Sequence, residues 1–164
     1  MLETLVKENL IRNAADIYLL KVSDIAKIER MGEKSGENLV NAINKSKEND
    51  LSKLVYALGI RHIGQKAAKL LSDRFGNIES IISASVEEIS SIDGFGEIMA
   101  QSVVEFFSHK ESIDLIERLK TYGVNTVSKK EVKGNIFEGK TFVLTGTLPT
   151  LSRKEASDII EQFG

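Results

Sequence analysis

The chain has 164 residues, with 22 Lys and Arg against 24 Asp and Glu, a formal net charge of −2, two histidines and no cysteine. That length allows one ordinary domain or two small ones, and the 41% hydrophobic content is enough for a folded core. The absence of cysteine excludes disulfides and thiolate zinc sites, His62 and His109 alone cannot assemble a structural zinc site, and there is no global basic field to draw nucleic acid. From Leu5 to about Val127 the pattern is almost entirely helical. Leu5 to Leu10 and Ala14 to Leu20 are apolar-periodic and flank Ile11-Arg12-Asn13. Gly36, Leu39, Val40 and Ile43 mark the face of a further helix, and the polar run Asn44 to Asp50 connects two helical halves.

Leu51, Leu54, Val55 and Leu58 recur at the i, i+3, i+4, i+7 spacing of one helix face, with Asp50 placed to cap it. Ala67, Leu70, Leu71 and Phe75 repeat that spacing. Between the two stripes, Leu58-Gly59-Ile60-Arg61-His62-Ile63-Gly64 predicts a tight turn in which Gly59 and Gly64 supply positive φ. Asn77 to Ser83 reads as a linking helix, and Ser85 with Glu88 as a capping box opening the next. Val103, Phe106 and Phe107 form a core face. A last helix is expected from about Ile113 to Tyr122, ending at Gly123.

The composition then changes. Ser128 to Gly134 is charged and poor in bulky apolar residues, as a linker is. Thr141-Phe142-Val143-Leu144-Thr145 is a strand of the buried type, Gly146 to Leu151 turns through Pro149, and Ser152 with Glu155 opens a helix through Ile159 and Ile160. The expected division is a helical domain at 1–127, a linker at 128–135, and at 136–164 a strand and helix too small to bury a sheet alone.

The turn at Gly64 recurs. Met31-Gly32, Ile63-Gly64 and Phe95-Gly96 fall in register, each 32 residues from the next, a period typical of internal repeats. Each glycine opens a helix, whose first-turn N–H groups lack partners and carry the positive end of the helix dipole, so an anion such as phosphate fits there. Two acids, Glu33 and Glu97, follow the glycine, where they either repel a phosphate or stabilise the dipole. Charge separates the copies. Ile60 to Arg74 contains Arg61, Lys66, Lys69 and Arg74 against Asp73, whereas Phe75 to Glu117 contains nine acids against Lys110. The second turn should therefore attract a polyanion more strongly than the third.

Two other motifs fail on context. Gly134-Asn135-Ile136-Phe137-Glu138-Gly139-Lys140-Thr141 satisfies the P-loop expression, but a linker precedes it and a strand follows, the reverse of the required order. Gly94-Phe95-Gly96 begins a dinucleotide fingerprint, yet Met99 occupies the third glycine position and no strand comes before.

The repeated turn resembles the helix-hairpin-helix motif, which binds DNA phosphates without reading sequence. Gly94-Phe95-Gly96 matches that family's Gly-hydrophobic-Gly hairpin in full, while Arg30 and His62 replace the first glycine in the other two copies. Ile11-Arg12-Asn13 is a possible fourth copy without glycine. Phe137 to Leu148 resembles the opening strand of a BRCT domain, with Ser152 to Gly164 as its first helix. Tandem helix-hairpin-helix motifs, a short basic linker and a BRCT domain resemble, in that order, the C-terminal part of bacterial NAD-dependent DNA ligases, and Gly59 to Gly64 is especially similar to that family's second-half hairpin.

The resemblance implies a mainly α tandem helix-hairpin-helix domain followed by an incomplete α/β BRCT domain. It implies sequence-independent binding of nicked double-stranded DNA through Gly32, Lys34, Arg61, His62, Gly64, Gln65, Lys66, Gly94 and Gly96, with Arg12 a weaker candidate. It also implies a fragment without catalytic residues and without a cofactor of its own. The NAD, Mg and structural Zn of such a ligase would be bound by its remaining domains, before Met1, and the rest of the BRCT domain would follow Gly164. Thr145-Gly146 match a phosphate-holding position of BRCT domains, whereas Arg153 and Lys154 read as a solvated helix face. The alternative is a stand-alone tandem helix-hairpin-helix module that binds DNA or a protein. No apolar run approaches the about 18 residues of a membrane span and no signal peptide is evident, so a cytoplasmic protein is expected.

Overall fold

The structure is a computed structural model and describes residues 2–28, 31–129, 140–146, 150 and 152–162. Arg30, Pro149 and the P-loop-like residues 134–139 lie outside the described residues. The chain divides into two compact units, Met1–Ser128 and Lys129–Gly164.

Among the described residues, the first unit is built from helices, with one isolated bridge between Asn77 and Val127. In chain order it contains α1 (Leu2–Lys7), a 3-10 helix (Ala14–Leu19), α2 (Val22–Ile25), α3 (Glu33–Ser46), α4 (Leu51–Ala57), α5 (Gln65–Phe75), α6 (Ile78–Ser83), α7 (Val86–Ser90), α8 (Glu97–Ser108) and α9 (Lys110–Thr121). Several starts follow from single capping residues. Asp50 accepts from the Ser52 N–H at 2.9 Å, Asn77 accepts from Ser80, and Ser85 and Glu88 close the expected capping box. Asn13 caps the 3-10 helix by accepting from the Ala15 and Asp16 N–H groups.

Two apolar clusters result. Leu5, Ile11, Leu20, Ile25 and Ile28 gather beneath α3, with Leu39, Val40 and Ile43 against them. Gly36 lets α3 close on α2, since a Cβ there would meet Val22 at 3.3 Å. The larger cluster joins α4 to α9 around Leu51, Val55, Leu71, Ile78, Ile81, Ile89, Val103 and Ile116. Val103 and Phe107 are buried in it and Phe106 packs edge-on to Phe107 at 5.1 Å, as a core face requires.

The residues after α9 tie the unit together. Gly123 (φ 84°) turns the chain out of the helix, and the Asn125 N–H donates to the Lys47 carbonyl at 2.8 Å. The Asn125 amide donates to Asn49, Ile78 donates to Thr126, and Ser128 donates to Gly76. Asn125, Thr126 and Ser128 of this tail thus satisfy backbone groups between α3 and α4 and where α5 gives way to α6.

Two sequence expectations are corrected here. The last helix starts at Lys110, earlier than Ile113, because the single extended residue His109 (ψ 131°) redirects the chain between α8 and α9 without a loop. The first turn of α9 is polar, which hides that start from an apolar-periodicity reading. In the second unit, Thr141–Thr145 pairs with no strand among the described residues, and Val143 is 78% exposed. An extended run becomes a strand only when a neighbour takes its backbone hydrogen bonds. The helix of this unit, α10 (Arg153–Gln162), opens on the expected Ser152–Glu155 capping box.

Ile81 is 1% exposed within the larger cluster, so Ile81→Ala should lower unfolding free energy by about 2–5 kcal/mol, read from urea titration. Several charges also link stability to pH. The Arg12 backbone N–H holds Asp16 below the ordinary carboxylate value, and the Lys120 ammonium does the same for Glu79, which in turn raises Lys120. Depressed carboxylates stabilise above their unfolded pKa and lose that contribution as pH falls, whereas a raised lysine loses its contribution as pH rises. Stability should therefore be level through neutrality and fall below about pH 4 and above about pH 10.5. Asp16→Asn and Glu79→Gln should each shallow the acid limb of a melting-temperature profile.

Candidate nucleic-acid interface

Three hairpins share one backbone device. In each, an N–H donates to the carbonyl three residues earlier at 3.0 Å: Met31 to Ile28, Ile63 to Ile60, and Phe95 to Ile92. The donor residue turns its side chain inward. Ile63 and Phe95 are buried in the larger cluster and Met31 packs against the smaller one. The next residue is Gly32, Gly64 or Gly96, whose carbonyl accepts the first helical hydrogen bond from Gly36, Ala68 or Ala100 at 2.9–3.1 Å. Each helix therefore begins immediately after an anchored apolar residue.

These three helix starts differ from those made on Asn13, Asp50, Asn77 and Ser85. Gly32, Gly64 and Gly96 offer no capping side chain, and the first-turn N–H groups of α3, α5 and α8 meet no acceptor among the described residues. The helices have 14, 11 and 12 residues, long enough to develop a dipole.

The expected positive φ at Gly64 is not found. Its φ is −87° with extended ψ, and Gly32 (φ −78°) and Gly96 (φ −94°) match it. Any residue adopts that backbone, and a Cβ at each of the three would meet nothing within 4 Å. Neither strain nor packing inside the protein calls for glycine there. Positive φ falls at the third residue of the turn instead, at Gly94 (89°) and at His62 (66°), with Gly59 (66°) just after α4 as expected. That is the φ a type II turn needs at this position, where glycine is the ordinary occupant.

His62, Gly64, Gln65, Lys66 and Gly94 come together along one open groove between the second and third hairpins, together with Asp93, Leu70 and Met99. Gly32 and Lys34 lie on the first hairpin, outside that groove. Lys34, Arg61 and Lys66 are exposed and engage no carboxylate among the described residues, whereas Lys69 pairs with Asp73 at 3.7 Å. Glu97 is turned along α8 to accept from Gln101 at 3.1 Å, away from the helix start. The third hairpin offers Asp93, Glu97 and the 67% exposed Ile98 where the second offers Arg61, Gln65 and Lys66. Asp93, Leu70 and Met99 were not foreseen as groove residues. Only the register of Asp93 with Arg61 signals any of them in the sequence.

The fourth turn behaves otherwise. Asn13 occupies the Ala15 and Asp16 amides, so Ile11-Arg12-Asn13 presents a capped helix start. In the second unit, Arg153 and Lys154 are exposed, as expected of a solvated helix face, and Arg153 also donates through Nε and Nη2 to the Gly146 carbonyl at 3.3 and 3.1 Å, tying helix to turn. Among the described residues no group of three or more His, Cys, Asp or Glu could hold a metal ion, and no helix is long and apolar enough to cross a membrane.

Residues 53–116, which span the second and third hairpins, match the family model of the helix-hairpin-helix motif, and residues 132–164 match that of the BRCA1 C Terminus (BRCT) domain. The chain is 51% identical over 168 residues to a protein named DNA ligase from Acetivibrio thermocellus, covering 100% of this chain and 25% of the relative. It is 49% identical over 164 residues to a DNA ligase of Caldicellulosiruptor bescii, covering 100% and 24%, and 48% identical over 163 residues to one of Clostridioides difficile, covering 98% and 24%. The chain thus spans about a quarter of the length of the curated relatives it matches.

The two glycine positions of a hairpin should respond oppositely to substitution. Gly64→Ser keeps an allowed backbone and adds a cap, so stability should hold or rise by a few tenths of a kcal/mol. Gly94→Ala puts a side chain at φ 89° and should cost about 1–2 kcal/mol in the same urea titration.

Proposed function

We propose that this chain, which carries a helix-hairpin-helix motif and the beginning of a BRCT domain and is similar to DNA ligases along its length, grips double-stranded DNA without regard to sequence. It would be the DNA-holding part of an NAD-dependent ligase that seals nicks in replication and repair. The observation that carries the proposal is the glycine at three equivalent helix starts, where the protein's own backbone and packing make no demand for one. A bare Cα lets a phosphate oxygen come within hydrogen-bond reach of the amides behind it.

Backbone N–H groups suit this task because they hold phosphate and carry no base preference, as an enzyme that must act on any nick requires. Gly32, Gly64, Gly94 and Gly96 would shape the contact, Gln65 would approach the same strand, and Lys34, Arg61 and Lys66 would add charge. The second hairpin bears the cations and so would contribute most of the attraction, with the acidic third hairpin relying on its amides. The DNA-binding domain would comprise 1–127, joined by a linker at 128–135 to the BRCT segment at 136–164.

Ligation needs NAD, Mg and, in the family this chain resembles, a structural Zn. Without cysteine, this chain cannot form the thiolate zinc site of that family. Those groups belong, on this reading, to the remaining ligase domains, which would be this chain's partners in a cytoplasmic enzyme.

Fluorescence anisotropy on nicked, intact and single-stranded DNA across a salt series tests the proposal. Unrelated duplexes should bind with similar strength, and affinity should fall with salt. Lys66→Ala should weaken binding and reduce the salt slope by about 1. Gly64→Ser should weaken it without loss of stability, because its hydroxyl occupies the amides. Folded protein that ignores duplex DNA even at low salt would refute the grip.

A further inference from the structure

The first hairpin rides on a different apolar cluster from the other two. Met31, which anchors it, packs with Leu39 and Ile43 of α3 against the smaller cluster, whereas Ile63 and Phe95 are buried in the larger one. A grip that uses all three hairpins therefore depends on how the two clusters are held together. The 3-10 helix serves both, since Ala15 and Tyr18 pack in the larger cluster and Ile17 and Leu20 in the smaller. A second join is the connector at 47–50, through which α3 passes into α4.

That connector is pinned from two sides. On one, the Lys47 ammonium lies 5.8 Å from the centre of the Tyr18 ring, and the Tyr18 hydroxyl is 3.4 Å from the Ser46 Oγ. On the other stands Asn125. Its backbone N–H donates to the Lys47 carbonyl at 2.8 Å, and its amide donates to the Asn49 carbonyl at 2.9 Å and to the Val127 carbonyl at 2.7 Å. The amide oxygen accepts from the Val127 N–H at 3.4 Å. The tail beyond it is fixed to the body of the second hairpin, with Thr126 accepting from Ile78 and Ser128 donating to Gly76. Asn125 is thus the side chain by which that body holds the exit of α3.

The lever is long. α3 has 14 residues and so spans about 21 Å from the connector to Gly32. A rotation of about 10° at the connector would carry the first-turn amides of α3 roughly 4 Å, several times the span of about 0.5 Å over which a hydrogen bond keeps its length. We infer that Asn125 is a positioning residue for the DNA grip: by pinning the exit of α3 it holds the first hairpin in fixed register with the second and third, so that all three meet one duplex together. The inference rests on the proposed DNA reading and adds to it the residue that makes the three contacts act as one. Asn125 does not line the groove between the second and third hairpins, so it works through Gly32 and Lys34 rather than by touching DNA.

The test measures the affinity of this chain for an arbitrary duplex and for a single strand at low salt, in wild type, Asn125→Ala, Asn125→Ser, Lys34→Ala and Lys66→Ala, and in Asn125→Ala combined with each lysine change. Asn125 is half-buried and water can reach the carbonyls it leaves, so both of its variants should fold, as circular dichroism checks. Each should weaken duplex binding about threefold to tenfold, because a loosened hairpin must be ordered at the moment of binding. A single strand follows the hairpins wherever they stand, so its affinity should change by less than about twofold. In wild type, Lys34→Ala should weaken duplex binding and lower the salt slope by about 1. Beside Asn125→Ala it should cost less than about half that fold-change, whereas Lys66→Ala should cost the same in both backgrounds. A general loss of stability would not separate the two lysines. Unchanged duplex affinity in the Asn125 variants, equal weakening of duplex and single strand, additive costs for Lys34 and Asn125, or a Lys34→Ala without effect on wild type would overturn the inference while the DNA grip stands. If wild type binds no duplex even at low salt, the grip and the inference fall together.

Discussion

The hydrogen bond from Ile63 to the Ile60 carbonyl, and its counterparts at Met31 and Phe95, is the constraint on which the rest of the first unit depends. It closes a turn short enough that the residue before each glycine is driven into a core, and the helix that follows must start at the surface. Burial of Ile63 and Phe95 and exposure of the adjacent amides are consequences of the same geometry. The apolar clusters anchor the residue before each glycine, so the core sets the direction in which the N–H groups point. That preorganisation matters because a loop ordered only on binding would spend much of the interaction energy on its own entropy.

The unit treats its helix starts in two ways. At Asn13, Asp50, Asn77 and Ser85 a side chain satisfies the first turn, whereas α9 starts on His109 without a side-chain cap. Where a helix faces the candidate interface, that stabilisation is given up at Gly32, Gly64 and Gly96. His62 gives up more, in backbone strain. Stability is thus forgone at these turns and recovered by burial of Leu51, Leu71, Ile81 and Val103, and by the tail whose Asn125 and Thr126 join separate turns. Such a division is expected of a surface shaped for something outside the protein.

Much of this was legible in the sequence, because its signals are local. Asp50, Ser85 with Glu88, and Ser152 with Glu155 cap where their spacing says they should, and the apolar stripes of α4 and α5 face the core. The glycine register was visible, but not the conformation that explains it. Positive φ was expected at Gly64 and lies two residues earlier at His62, since a sequence shows which residues permit a left-handed backbone and not which one a turn will force into it. The groove is a tertiary feature: Leu70, Asp93 and Met99 meet there only because α5 packs near the third hairpin. Thr141 to Thr145 carries strand propensity without a neighbouring strand among the described residues, and propensity alone makes no ladder.

The most direct measurement is an amide-resolved titration of the folded chain with a short duplex of arbitrary sequence, followed by nuclear magnetic resonance. The account predicts that the largest shifts fall on the first-turn amides of α3, α5 and α8, with those of the Asn13-capped 3-10 helix unmoved. Shifts that spare the three glycine-started turns, or that concentrate on the capped helix starts, would contradict it.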